Sequence, residues 1–106
     1  GELGDLLTAR LNVPVMFFNA AWDGSTITNW RESAEGMTTV NLDGSGNFPK
    51  GFPYLNLRNT LNLYVSTLGI RAILWHQGET DTSPSKTSET TYANNLQRLI
   101  ELSRLH

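Results

Sequence analysis

A histidine, an amide, a glycine and two carboxylates crowd into His76-Gln77-Gly78-Glu79-Thr80-Asp81, directly after the largely apolar run 70–75. An apolar run that stops at such a cluster is expected to be the carboxyl end of a buried strand, where open α/β sheets place their ligands. The Gln77 amide carries two donors. Just past a strand end, one of them can face the oxygen of a tetrahedral intermediate. Losing one such donor typically costs about 3–4 kcal/mol of transition-state stabilisation. The same amide can instead bond backbone in a tight turn. Gly78 permits a positive φ or a close backbone approach, and a plain turn uses it equally well. Glu79 can orient Gln77, accept from loop amides, tune a histidine or stand as a solvated acid. His76 is the residue type most often used as a general base.

These side chains need elements to hold them. Leu3, Leu6, Leu7 and Leu11 recur at helical spacing, with Glu2 and Asp5 near the amino end and Asn12 and Pro14 closing the pattern. The unbroken apolar run 13–18 reads as a strand covered on both faces. Residues 19–52 hold most of the glycines with many Ser, Thr, Asn and Asp, which predicts a long loop with a short helical turn around 27–33. A loop of that length inside a domain is usually functional or mobile. Pro53 opens the clearest helix, with Tyr54, Leu57, Leu61, Tyr64, Val65 and Leu68 on one face and Gly69 as a left-handed cap. The run 70–75 reads as a second buried strand. After Pro84, Thr87 or Ser88 caps a last helix whose face is Tyr92, Leu96, Leu99 and Ile100. The order α-β-loop-α-β-loop-α predicts an α/β fold with parallel strands joined by a crossover helix. Two strands do not make a stable sheet, so a partner strand is expected from outside this sequence or from another copy.

The run Trp75-His76-Gln77-Gly78-Glu79-Thr80-Asp81 resembles the third sequence block of the SGNH/GDSL hydrolases. The likeness is to their carbohydrate-esterase branch, of the sialate O-acetylesterase and acetylxylan-esterase type, with its Trp-x-Gln-Gly-Glu-x-Asp/Asn signature. Trp22-Asp23-Gly24-Ser25-Thr26-Ile27-Thr28-Asn29-Trp30 resembles the second block, Gly-Gly-Thr/Ser-x-Ile-x-x-Trp, with Asp23 in place of its first glycine. The resemblance implies a three-layer α/β/α fold with a parallel sheet, SGNH or flavodoxin-like and incomplete here. Residues 1–106 would be the part of that domain holding its second and third blocks. It implies an oxyanion hole made by the Gln77 amide and the Gly24 N–H, with Glu79 in support. Asp81 would anchor the loop. Trp22, Trp30, His76 and Asp81 would border an acetylated carbohydrate, although Trp22 and Trp30 are equally ordinary core residues. His76 falls at a variable position of the signature, so a structural or substrate-contact role is expected for it. Ser25 lacks a nucleophile elbow around it and reads as turn chemistry.

Neither the family's first block, a Gly-Gln-Ser-Asn type turn bearing the nucleophile, nor its Asp-x-x-His block occurs in the sequence. Acyl transfer needs nucleophile, base and oxyanion hole together. The reading is therefore a central portion of a serine carbohydrate O-acetylesterase that uses no metal or organic cofactor. The alternative is a non-catalytic α/β glycan-binding or interaction domain. A metal site from His76, Glu79, Asp81 and His106 fits poorly, because His76 and Glu79 lie on a turn. At 106 residues and 39% hydrophobic, the chain has material for one core. Its net charge of −2, with charges dispersed, argues against nucleic acid and anionic membrane as partners. No run approaches the roughly 20 apolar residues of a membrane span. Cysteine is absent, which removes disulfides and thiolate metal sites and leaves the compartment open. Only the resemblance suggests a secreted or periplasmic one. Expected partners are the acetylated carbohydrate and either a second copy or flanking segments of the same domain.

Overall fold

The computed structural model describes residues 2–12, 14–65, 67–82 and 86–105. Five helices follow one another along them: α1 Glu2–Leu11, α2 Ile27–Ala34, α3 Leu55–Tyr64, α4 Glu79–Thr82 and α5 Glu89–Ser103. The acids of α1 lie in its first turn and Arg10 in its last, complementing the helix dipole at both ends. It stops at Asn12, whose φ is 56° and whose N–H returns to the Thr8 carbonyl at 2.9 Å. None of its residues is buried.

α2 is the helical turn expected inside the 19–52 loop, and it is the element the core is built on. Thr26 caps it: the Thr26 hydroxyl accepts Asn29 N–H at 3.1 Å, and Asn29 Oδ1 accepts Thr26 N–H at 2.9 Å. This reciprocal box satisfies two donors that a helix start leaves orphaned. Ile27 and Trp30 then turn inward to meet Tyr54 and Leu99, with Leu57, Trp75, Tyr92 and Leu96 packed around them. α2 and α5 lie against each other. α5 starts at Ser88, whose hydroxyl accepts Thr91 N–H at 3.1 Å. After α3, Leu68 and Gly69 return their N–H groups to Tyr64, at 2.8 and 2.9 Å, with Gly69 at φ 76°. The helix itself ends at Tyr64 with Val65 as its C-cap, so Gly69 closes the turn after it rather than the helix, and Val65 and Leu68 stay exposed instead of joining the buried face.

The sheet is the correction. Helix occupies 47% of the structure and strand 2%. The strand content among the described residues is an isolated antiparallel bridge between Val40 and Asn47. Among the described residues, 14–18 and 70–75 form no strand, so the three-layer α/β/α arrangement with a parallel sheet is not what this chain forms. Val13, the first residue of the expected strand, lies outside the described residues, as do Pro84 and His106. The physical reason is locality. A helix closes its backbone hydrogen bonds within itself, whereas a strand needs a partner ladder from elsewhere in the chain. Here neither run is covered on two faces. Met16 is 65% and Leu74 63% exposed. Among the described residues, no helix is long and apolar enough to cross a membrane.

Candidate functional site

The two sequence blocks meet at the amino end of α2. Trp75 brings the later block onto the core, its ring edge-on to Trp30 at 5.3 Å and 82°. The chain then turns through Gly78, whose φ of 145° suits glycine. A β-carbon there would make ordinary contacts with Tyr92 at 3.8 Å, so conformation rather than space requires the glycine. The Gly78 carbonyl accepts Thr82 N–H at 2.9 Å, which starts the single turn of α4.

Gln77 faces back across the chain. Its Nε2 donates to the Ser25 carbonyl at 3.0 Å and to Asp81 Oδ2 at 2.6 Å, while its Oε1 accepts from the Tyr92 hydroxyl at 2.9 Å. Both amide protons are thus engaged. Ser25 is one residue from Gly24, so chain geometry keeps Gly24 N within about 7 Å of the Ser25 carbonyl oxygen. Gly24 has φ 69° and open space around its α-carbon. Among the described residues its N–H has no hydrogen-bond partner.

Asp81 ties the blocks together. It is 3% exposed, and its carboxylate accepts Ile27 N–H at 3.0 and 3.2 Å, the Thr87 hydroxyl at 2.8 Å and Gln77 Nε2. Ile27 is the first residue of α2, so a negative charge sits where the helix dipole favours one. Ser25 is a turn residue: its hydroxyl donates to the Trp22 carbonyl at 2.7 Å and accepts Trp30 Nε1–H at 2.8 Å.

The remaining expected residues divide by burial. Trp30 is 4% exposed and belongs to the core. Trp22 is partly exposed, its ring tilted against Phe52 at 4.6 Å. His76 is 97% exposed in its side chain, with Nε2 3.8 Å from Glu79 Oε1, a loose solvent-facing pair. Asp81, not Glu79, reaches the Gln77 amide. Sequence reasoning placed Tyr92 on an apolar face and missed its hydroxyl, and it missed Thr26 as a cap. The Thr26-x-x-Asn29 spacing was a readable signal for the cap, whereas nothing local pointed from Tyr92 to Gln77.

Two hollows flank this region. A polar one of about 280 Å³ opens beside the first turn of α2, against Thr26, Asn29, Glu32 and Thr39. An apolar one of about 430 Å³ lies between Leu57, residues 70–75 and the end of α5. Neither is lined by Gln77 or Gly24. No group of three or more His, Cys, Asp or Glu side chains among the described residues is placed to hold a metal ion.

Residues 4–106 match the family model described as carbohydrate esterase, sialic acid-specific acetylesterase. The chain belongs to that carbohydrate-esterase family. No curated protein and no solved structure matches it.

Proposed function

We propose that this chain supplies the oxyanion-stabilising portion of a serine carbohydrate O-acetylesterase, with the Gln77 amide and the Gly24 N–H as donors to the acyl oxygen. The observation that carries the reading is the 3.0 Å bond from Gln77 Nε2 to Ser25, 52 positions away in sequence. It brings the Gln77 side-chain donor onto the residue that follows Gly24, whose N–H is free among the described residues, and two such donors are what acyl transfer uses at its developing oxyanion. The Ser25 carbonyl now occupies the place on Gln77 that an acyl oxygen would take. The nucleophile and the base are supplied from outside these 106 residues. A non-catalytic glycan-binding role is the second reading, and the full engagement of both Gln77 amide protons favours it.

Nitrogen-15 NMR of the chain with an O-acetylated monosaccharide tests the proposal. The Gly24 N–H and the Gln77 side-chain amide are expected to shift together and saturably, and the deacetylated sugar to shift them less. Equal response to both sugars supports glycan binding alone. No response at either group overturns the reading.

A further inference from the structure

Tyr92 stands on α5 in line with Leu96 and Leu99, and its ring packs against the core they line. Its hydroxyl does something that packing does not require. It lies 2.9 Å from Gln77 Oε1 and 2.8 Å from the Gln77 carbonyl oxygen, and it accepts Trp75 Nε1–H at 3.1 Å. An indole N–H only donates and a phenol has one proton to give. With Trp75 bonded to a lone pair of the oxygen, that proton is shared between the carbonyl oxygen and Oε1 of Gln77. The neighbours at the other end of the amide, the Ser25 carbonyl and the Asp81 carboxylate, are acceptors. A donor therefore reads Oε1 while two acceptors read Nε2. Turning the amide over would set oxygen against both acceptors and lose those two bonds, and Oε1 would give up the Tyr92 proton.

We propose that Tyr92 is a positioning residue: its hydroxyl, oriented by Trp75, fixes which way the Gln77 amide faces and aims Nε2 at the Gly24–Ser25 turn. The functional meaning rests on the reading of Gln77 as a donor to the acyl oxygen, although the positioning itself does not. With Oε1 held by Tyr92 and one Nε2 proton held by Asp81, an incoming oxygen competes with the Ser25 carbonyl alone for the other proton.

The test is Tyr92→Phe in the nitrogen-15-labelled chain, since phenylalanine keeps the ring packing and removes only the hydroxyl. The Trp75 indole N–H and the Gln77 side-chain amide pair are both expected to shift, and the Gln77 protons to exchange roughly two- to tenfold faster, as for the loss of one hydrogen bond. The Trp30 indole, bonded to Ser25, is expected to stay in place. A shifted Trp75 with an unmoved Gln77 amide overturns the proposal, because the hydroxyl then serves the indole alone. If Tyr92→Phe does not fold, Trp75→Phe frees the hydroxyl from its indole partner and is expected to shift the Gln77 pair as well; an unmoved pair there overturns the proposal too. The functional reading fails separately. A Gln77 amide that moves in the variant but ignores acetylated sugar in the parent chain upholds the positioning and sinks the esterase reading.

Discussion

Gln77 and Asp81 approach to 2.6 Å at a site where the carboxylate is almost wholly buried. That distance fixes what substitution costs. Gln77→Glu would oppose two carboxylates there and present an acceptor to the Ser25 carbonyl, so the variant must lose the contact or bind a proton. The expected loss is about 2 kcal/mol of unfolding free energy at neutral pH, partly recovered in acid, as measured by urea titration. Gln77→Met, which removes the donors without adding charge, is expected to lose less. A Gln77→Glu chain as stable as its parent at pH 7 would contradict the geometry. The importance of this residue was legible in the sequence, since a polar cluster after an apolar run needs explaining. Its partners were not. Ser25 lies 52 positions away and Tyr92 15, and no local pattern links an amide to either. Glu79 and Asp81 are chemically alike in sequence. Only the fold decides that Asp81 turns in to the Ile27 N–H while Glu79 faces solvent beside His76.

Helix termini carry the next scale. Thr26→Ala removes half of the reciprocal cap on α2 and is expected to cost about 1 kcal/mol, read as a lower midpoint in urea. Glu35, just past the other end of α2, binds Arg98 of α5 at 3.1 Å and Arg31 at 3.3 Å. The Arg98 hydrogen bond, with Arg31 adding to it, holds the Glu35 carboxyl below its ordinary value of 4.5. A carboxyl depressed on folding stabilises the chain above its unfolded pKa and ceases to do so as pH falls through the folded value. Glu35→Gln is therefore expected to lower the melting temperature slightly at pH 7 and to leave it unchanged well below pH 4, with added salt shrinking the difference. A difference that persists in acid would point to packing instead. Helices α1, α3 and α5 were legible because leucine spacing, caps and the Gly69 turn act within a few residues. The two strands were not, because a run such as 70–75 becomes a strand only when another backbone meets it.

At the scale of the molecule, family membership was legible in two short blocks while the fold class was not. The radius of gyration is 15.2 Å, against about 13 Å for a compact domain of this length. Helix α1, none of whose residues is buried, contributes to the difference. Because the sequence holds no nucleophile elbow and no Asp-x-x-His block, the chain by itself is expected to show no turnover of 4-nitrophenyl acetate above an inert-protein control. Saturable turnover abolished by Ser25→Ala would reverse that expectation, and with it the structural role of Ser25. Runs 14–18 and 70–75 lead to a further outcome. Met16, Phe17, Phe18, Ile73 and Leu74 are all exposed, on backbone that pairs with nothing among the described residues. Unpaired backbone bearing apolar side chains is a template for another chain. A second copy offers the same runs, which favours self-complementary contacts. The chain is therefore expected to self-associate at micromolar concentration, with light scattering giving a mass above that of one copy. Phe17→Ser with Leu74→Ser is expected to shift the mass toward the monomer without lowering stability, because neither side chain belongs to the core. A parent chain that scatters as a monomer and melts cooperatively would show that these runs are tolerated in water.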